Sequence, residues 1–407
     1  MPSAAKADLV RAAPEPSEAP ALSFLAVLVA ITALGPMAMQ IMIPALPAIQ
    51  TGFGVAAGTA QLALSLSTLA MAVATLGYGP LSDRFGRKPV VIGGILVYLA
   101  GTVLCIFGPT IHWLILGRVI QAAGGAAGLV LARAMVRDLY GRERSASVIA
   151  YLTMAMVVVP MISPALGGWL TDNHGWRHIF TVGAVFGAAV LAGVLLVLVE
   201  THRRDQSGGV PMLASMRRLV GIPAFQGYAL QGACSMALFF AFLAGVPYVV
   251  VQVLGRPASV YGAMFALVSG AFMVGNFISA RFATRLGINR LAVTGATLVL
   301  AGTLLEIAAV AVIGLGLHTL FLPMMVVAFA QGIAMPVTQA GAISVDPHVA
   351  GAASGLSGFV QLGLAAFSAQ LVGVLHDGTV WPTLITMLVF ALGSLAAILH
   401  VLRSAPR

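Results

Sequence analysis

The chain has 407 residues, 60% hydrophobic and 8% charged, with a formal net charge of +9 and a mean hydropathy of +1.01. Soluble domains carry roughly a quarter of their residues as charges, so a water-soluble fold is excluded and the bilayer must be part of the solvent. The positive charge lies in short segments between apolar runs, which speaks for membrane topology and against nucleic acid as a partner.

Residues 1–21 are rich in Pro, Ala, Ser and Glu and read as a disordered cytoplasmic tail. The apolar run that follows is too long for the core of a cleaved signal peptide, so it is expected to stay as a membrane helix. Twelve such runs follow one another, at about 22–47, 58–80, 89–108, 112–136, 146–170, 177–199, 224–247, 260–282, 290–313, 318–340, 351–374 and 381–402. Each has the roughly 20 residues a helix needs to cross about 30 Å of hydrocarbon. The runs do not alternate at period 2, so helices and not barrel strands are expected. The fold class is therefore all-α and integral to the membrane. Residues 200–223 form a central cytoplasmic segment between two six-helix halves, 22–199 and 224–402, and 403–407 are a short cytoplasmic tail.

The charges test this count. With the N-terminus inside, inner segments hold Lys6, Arg11, Arg84, Arg87, Lys88, Arg133, Arg137, Arg142, Arg144, Arg203, Arg204, Arg217, Arg218, Arg281, Arg285, Arg290, Arg403 and Arg407. Outer loops hold only Arg177 and Arg256, and Arg118 lies within a span. A wrong helix count would scramble this alternation. Paired six-helix halves with a site between them are a transporter architecture. A faint repeat supports the division: Gly79, Arg84-Phe85 and Arg87 near the end of span two are echoed by Gly275, Arg281-Phe282 and Arg285 near the end of span eight.

The densest charge sits in GPLSDRFGRKP, residues 79–89, between spans two and three. Gly79 and Gly86 are expected to allow a tight reversal. Asp83 is expected where a helix N-terminus would stabilise a carboxylate. Arg87 and Lys88 can reach carboxylates or lipid phosphates. Together Gly79, Leu81, Asp83, Arg84, Gly86, Arg87 and Lys88 resemble the G-x-L-x-D-R-x-G-R-K signature of the major facilitator superfamily. Further segments resemble its drug:proton antiporters, most of all the bicyclomycin- and chloramphenicol-resistance branch. RVIQAAGGAAG from Arg118 is similar to the span-four motif, with Ala122 for a Gly. SPALGG is similar to the span-five antiporter motif at Pro164, Gly167 and Gly168, with Ser163 for the first Gly. GWRHIF at 175–180 fits the entrance to span six.

The resemblance implies alternating access, with Asp83 and Arg87 holding one conformation and Arg87 pairing with Asp138 at the inner end of span four. It also implies export of small, amphipathic organic compounds across a bacterial-type inner membrane by a monomer, with no cofactor and a proton gradient as the energy source. An uncoupled facilitator for a metabolite is the alternative. One departure bears on coupling. Where relatives carry an Asp in an IDMYLPALP-like stretch of span one, this chain has Gln40 in MQIMIPALP, with Met42 in place of Tyr.

Single residues remain to be weighed. Arg118 at mid-membrane is costly and must face protein or water. It is either part of proton coupling or a tie to carbonyls of a neighbouring helix. Glu306 is the only acid deep within a span and is either structural or a protonation site. On the helices that line the cavity in this family, Gln231 with Ser235 and Gln331 with Met335 are each four residues apart, hence on one face. With Gln40, Arg118 and Gln121 they are candidates for a neutral, Met-lined pocket, or else ordinary packing residues. No convergent acids, His or nucleophiles lie at membrane depth, and no phosphate-binding G-x-x-x-x-G-K-S/T motif occurs, so neither an enzyme nor an ATP-driven pump is expected. Cys105 and Cys234 fall within spans and suggest neither disulfide nor metal.

Overall fold

The computed structural model describes residues 22–139, 142–201 and 212–404. The expected N-terminal tail, Arg203, Arg204 and Arg407 lie outside them. The described residues form helices and short turns. Twelve helical segments cross the molecule: Leu22–Phe53, Ala57–Phe85, Arg87–Phe107, Ile111–Leu139, Arg142–His174, His178–Val197, Pro223–Val253, Ala258–Leu286, Ile288–Ile313, Leu317–Ser344, Ala350–Val374 and Trp381–Ser404, here spans one to twelve. Eleven are long and apolar enough to cross a bilayer on their described residues. The fifth has 33 residues and carries Pro160 and Pro164. Side chains such as Val73, Phe107, Phe277 and Val312 are exposed around the bundle, as a lipid-facing surface requires.

Two faces can be named from the turns. The near face carries the turns at Gly86 and Gly287; the far face carries those at Gly54, Gly175, Gly255, Gly314 and Gly378. Span one is broken by a short 3₁₀ turn at Ile43–Ala45, where Pro44 cannot donate and Pro47 opens the next helix. Within the first half, glycines bring backbones together. Gly94 stands opposite Gly124, and Gly101 opposite Gly117, across spans three and four. A Cβ at Gly117 would lie 2.8 Å from the Gly101 carbonyl oxygen, so this crossing tolerates no larger residue.

The halves meet along two seams, span two against span eleven and span five against span eight. At mid-depth Met71, Ala122 and Ala126 of the first half pack against Leu362 of the second. Between the halves, a nine-residue helix at Met212–Val220 buries Leu219 and exposes Arg217 and Arg218. Arg218 pairs with Asp346 at 2.7 Å, which ties this helix to the second half.

Candidate functional site: a charged hinge, two buried polar clusters and a polar seam

The charged motif is mostly helix. Span two runs unbroken through Pro80 to Phe85, so Gly79 is helical and does not make the reversal expected of it. The turn is a single residue, Gly86, with φ 93° and ψ 157°, a conformation that essentially only glycine adopts. Span three starts at Arg87, immediately after it.

Arg87 gathers the charges. Its guanidinium donates to Ser82 Oγ at 2.5 Å and to Asp83 Oδ1 at 2.6 Å, both at the end of span two. Its Nε donates to Asp138 Oδ2 of span four at 3.0 Å. The Arg87 side chain is 12% exposed, against 60% for Asp83 and 26% for Asp138. Charged hydrogen bonds contribute roughly 1.5–3 kcal/mol when screened from water. The Asp138 contact approaches that range, and the open Asp83 contact contributes less.

The carboxylate at the span-three N-terminus belongs to Glu200 and not to Asp83. Glu200 Oε1 and Oε2 accept from the backbone N–H groups of Arg87 and Lys88 at 2.9 and 3.1 Å. These are orphan donors of a first helical turn, where a negative charge is favoured. Thr201 reaches Asp138 at 3.4 Å. Spans two, three, four and the end of six are thus joined in one near-face knot. The sequence signal for Glu200 was a lone acid just after span six, read there as the start of a polar segment. Arg84 and Lys88 take no part in these ion pairs; Arg84 stacks over Phe85 at 5.2 Å.

Arg118 is buried inside the first half. It donates to the Ala38 carbonyl of span one at 3.0 Å and to Gln121 Oε1. Gln121 Nε2 in turn donates to Thr102 Oγ1 of span three at 2.8 Å. A small apolar gap beside Gln121 is lined by Met37, Tyr98, Phe180 and Gly183. Gln40 is buried too, but its Oε1 has no partner among the described residues and it does not join this set.

The second half has its own cluster. Gln231, Ser235 and Gln331 are fully buried together with Ser394 of span twelve. Gln331 Nε2 donates to the Ser235 carbonyl at 2.7 Å, and the Ser235 and Ser394 hydroxyls lie 3.2 Å apart. The two sequence-selected sets are therefore kept in separate half-bundles. Met335 is half-buried, and so are two residues that sequence reasoning passed over: Gln339 of span ten accepts from Gln361 of span eleven at 3.0 Å. Their only signal was a Gln at span depth. Glu306 of span nine is fully buried, and neither carboxyl oxygen has a hydrogen-bond partner among the described residues.

Between the halves, five hydrogen bonds occur among the described residues, all toward the far face. Gln370 of span eleven accepts from Ser65 at 2.7 Å and donates to the Gly58 carbonyl of span two at 3.1 Å. Gln252 donates to Gln50 at 2.7 Å. Asp172, ending span five, accepts from two backbone amides at the start of span eight. Gly168 and Gly167 of the SPALGG segment let spans eight and one approach: a Cβ at Gly168 would sit 2.5 Å from the Ala258 carbonyl oxygen. Pro164 backs onto Gly262. These bonds tie the halves together toward the far face, beside a cavity of about 560 Å³ lined by Gln50, Gly58, Gln370 and His376; toward the near face Gly355 lies beside Leu76.

Two six-helix halves in a membrane, joined by seams that close at one face, define a secondary transporter fold. A model of the major facilitator superfamily matches residues 28–369, and the chain belongs to that family. YdgK of Bacillus subtilis, an MFS-type transporter, is 30% identical over 94% of this chain and 96% of its own length. A bicyclomycin resistance protein homolog of Haemophilus influenzae is 27% identical, covering 89% and 92% of the two chains. Multidrug resistance protein D of Escherichia coli is 29% identical, covering 86% of this chain and 89% of its own length. The crystal structure of a D-xylose-proton symporter shares the fold at a TM-score of 0.76 and 14% identity, covering 94% of this chain and 98% of that one.

Proposed function

We propose that this transporter exports small organic compounds by alternating access, with the near face and both termini in the cytoplasm of a bacterial cell. The observation that carries this reading is likeness over nearly the full length to relatives named for drug resistance, on a chain whose two halves meet in a far-face seam. In this orientation the hydrogen-bonded far face is the outer one, and the charged knot at Arg87 lies inside, as the distribution of Lys and Arg favours. The preferred substrates are neutral or anionic amphipathic molecules. Arg118 places a positive charge inside the first half, Gln40 supplies no negative one, and desolvated like charges repel strongly.

Proton antiport is the first reading of the energy source, with coupling moved from span one to Glu306 or to the Arg118 cluster. Uncoupled facilitation is the second. It is favoured by one observation, that Gln40 cannot titrate and the Arg118 cluster contains no carboxylate. Expression in a pump-deficient bacterium should lower accumulation of chemically unlike neutral or anionic compounds; accumulation of a single metabolite would favour the facilitator. In reconstituted vesicles with an imposed pH gradient, gradient-driven flux should fall in Glu306→Gln. Strong uptake of lipophilic cations that survives that substitution would contradict both the substrate class and the coupling site.

A further inference from the structure

Span eight begins at Ala258, directly after Pro257 in extended conformation (ψ 151°), and no side chain of its own half caps it. The first amides of a helix have no intrahelical acceptor and need one from elsewhere. Here the acceptor comes from the other half. Asp172 Oδ1 accepts from Ala258 N–H at 3.0 Å, and Asp172 Oδ2 from Ser259 N–H at 2.8 Å. The carboxylate is thus a cap supplied across the seam, on the positive end of a 29-residue helix. The same device closes the near face of the first half, where Glu200 caps span three, but there both partners belong to one half. Only the Asp172 cap must break when the halves part.

The other seam, between spans two and eleven, holds an opposing feature. Gln61 of span two is fully buried against Gly373 of span eleven, and neither its oxygen nor its nitrogen has a partner among the described residues. A buried amide without partners favours any state that returns it to water. The other cross-seam contacts at this depth, through Gln370 and Gln50, are neutral hydrogen bonds that water replaces at little net cost.

We propose that Asp172 is a gating residue for transport: its carboxylate latches the far face shut by capping span eight, and the buried Gln61 amide is the element that favours release. The latch positions the halves and touches no substrate. It rests on the two-state cycle of the family, not on which compound is carried.

Spin labels on cysteines placed at Thr110 and Val312, in or beside far-face turns of opposite halves, read the separation of that face. Both native cysteines are buried and stay out of the measurement. Asp172→Ala should raise the ratio of parted to closed far faces about three- to five-fold, the scale that loss of a helix cap carries. Asp172→Asn, which keeps one acceptor, should raise it less, and Gln61→Leu should lower it. Should Asp172→Ala fail to accumulate, Ala258→Pro tests the same contact from the other half. Proline suits a first helical position after an extended residue and removes one of the two donors. An unchanged distance distribution in a normally inserted Asp172→Ala or Ala258→Pro protein overturns the latch. The readout needs no substrate, so it stands or falls separately from the export reading.

Discussion

The hairpin of spans two and three and the hairpin of spans eight and nine share a backbone. Each turns on one glycine of positive φ, Gly86 at 93° and Gly287 at 79°, with ψ of 157° and 156°. Alignment on those glycines shifts the register of the repeat read from the sequence, in which Arg84 is set against Arg281 and Arg87 against Arg285: Asp83 now faces Thr284, Arg84 matches Arg285, and Arg87 is replaced by Ile288. The first hairpin gathers Ser82, Asp83 and Asp138 around Arg87 and seats Glu200 on the next helix. At the second, the described residues hold no ion pair on Arg281, Arg285 or Arg290, and Asn289 instead accepts from the Tyr228 hydroxyl at 2.5 Å. The turn alone therefore suffices for a tight helical hairpin. The charges at the first one serve something else, which the knot across four spans identifies as holding an arrangement of helices.

Breaking the charge at each hairpin gives the widest contrast. Asp83→Asn should cost most of the transport, ten-fold or more, while the protein inserts normally; Thr284→Ala should transport as wild type does. Flux into vesicles at matched protein levels decides, and wild-type flux in Asp83→Asn would reduce the motif to a topology anchor. Breaking the shared turn separates the two less. Gly86→Ala and Gly287→Ala both force a side chain into a glycine conformation at about 1–3 kcal/mol. Gly86→Ala should melt lower, because its Cβ would lie 2.6 Å from Glu200 Oε2, whereas nothing lies within 4 Å of a Cβ at Gly287. Equal melting temperatures in detergent would mean that Glu200 gives way freely. The smallest effect is expected at the second half's own near-face ion pair. Arg218→Ala should change stability by less than about 1 kcal/mol, since the Arg218 side chain is 62% exposed. Faster proteolysis near Met212–Val220 is its expected trace.

The twelve spans were legible because a bilayer demands long apolar runs and sorts Lys and Arg between them. Their ends were less so. Span two was expected to stop near residue 80, where Pro80 and the following charges look like a loop; a helix leaving the hydrocarbon can carry charge, and it runs to Phe85. The charged motif was legible as a cluster, but which carboxylate caps span three was not, because Glu200 is more than 100 residues away in sequence. Spacing of four placed Gln231 with Ser235 on one face. It could not say whether that face looks toward the centre of the molecule or, as found, into its own half-bundle toward Ser394. The Asp172 contact had no local signal at all, since its donors are backbone amides of the other half.

Arg118 has an electrical consequence. Its charge is held inside the first half by a carbonyl and an amide, with no carboxylate in its recorded contacts to cancel it. Any rocking of that half against the membrane then carries charge through the transmembrane field. One elementary charge moved across the whole field gains about 2.3 kcal/mol per 100 mV. A shift through a tenth of the field is therefore worth about 0.2 kcal/mol. That is too little to drive a cycle, yet enough to give the balance between the two states a shallow dependence on membrane voltage.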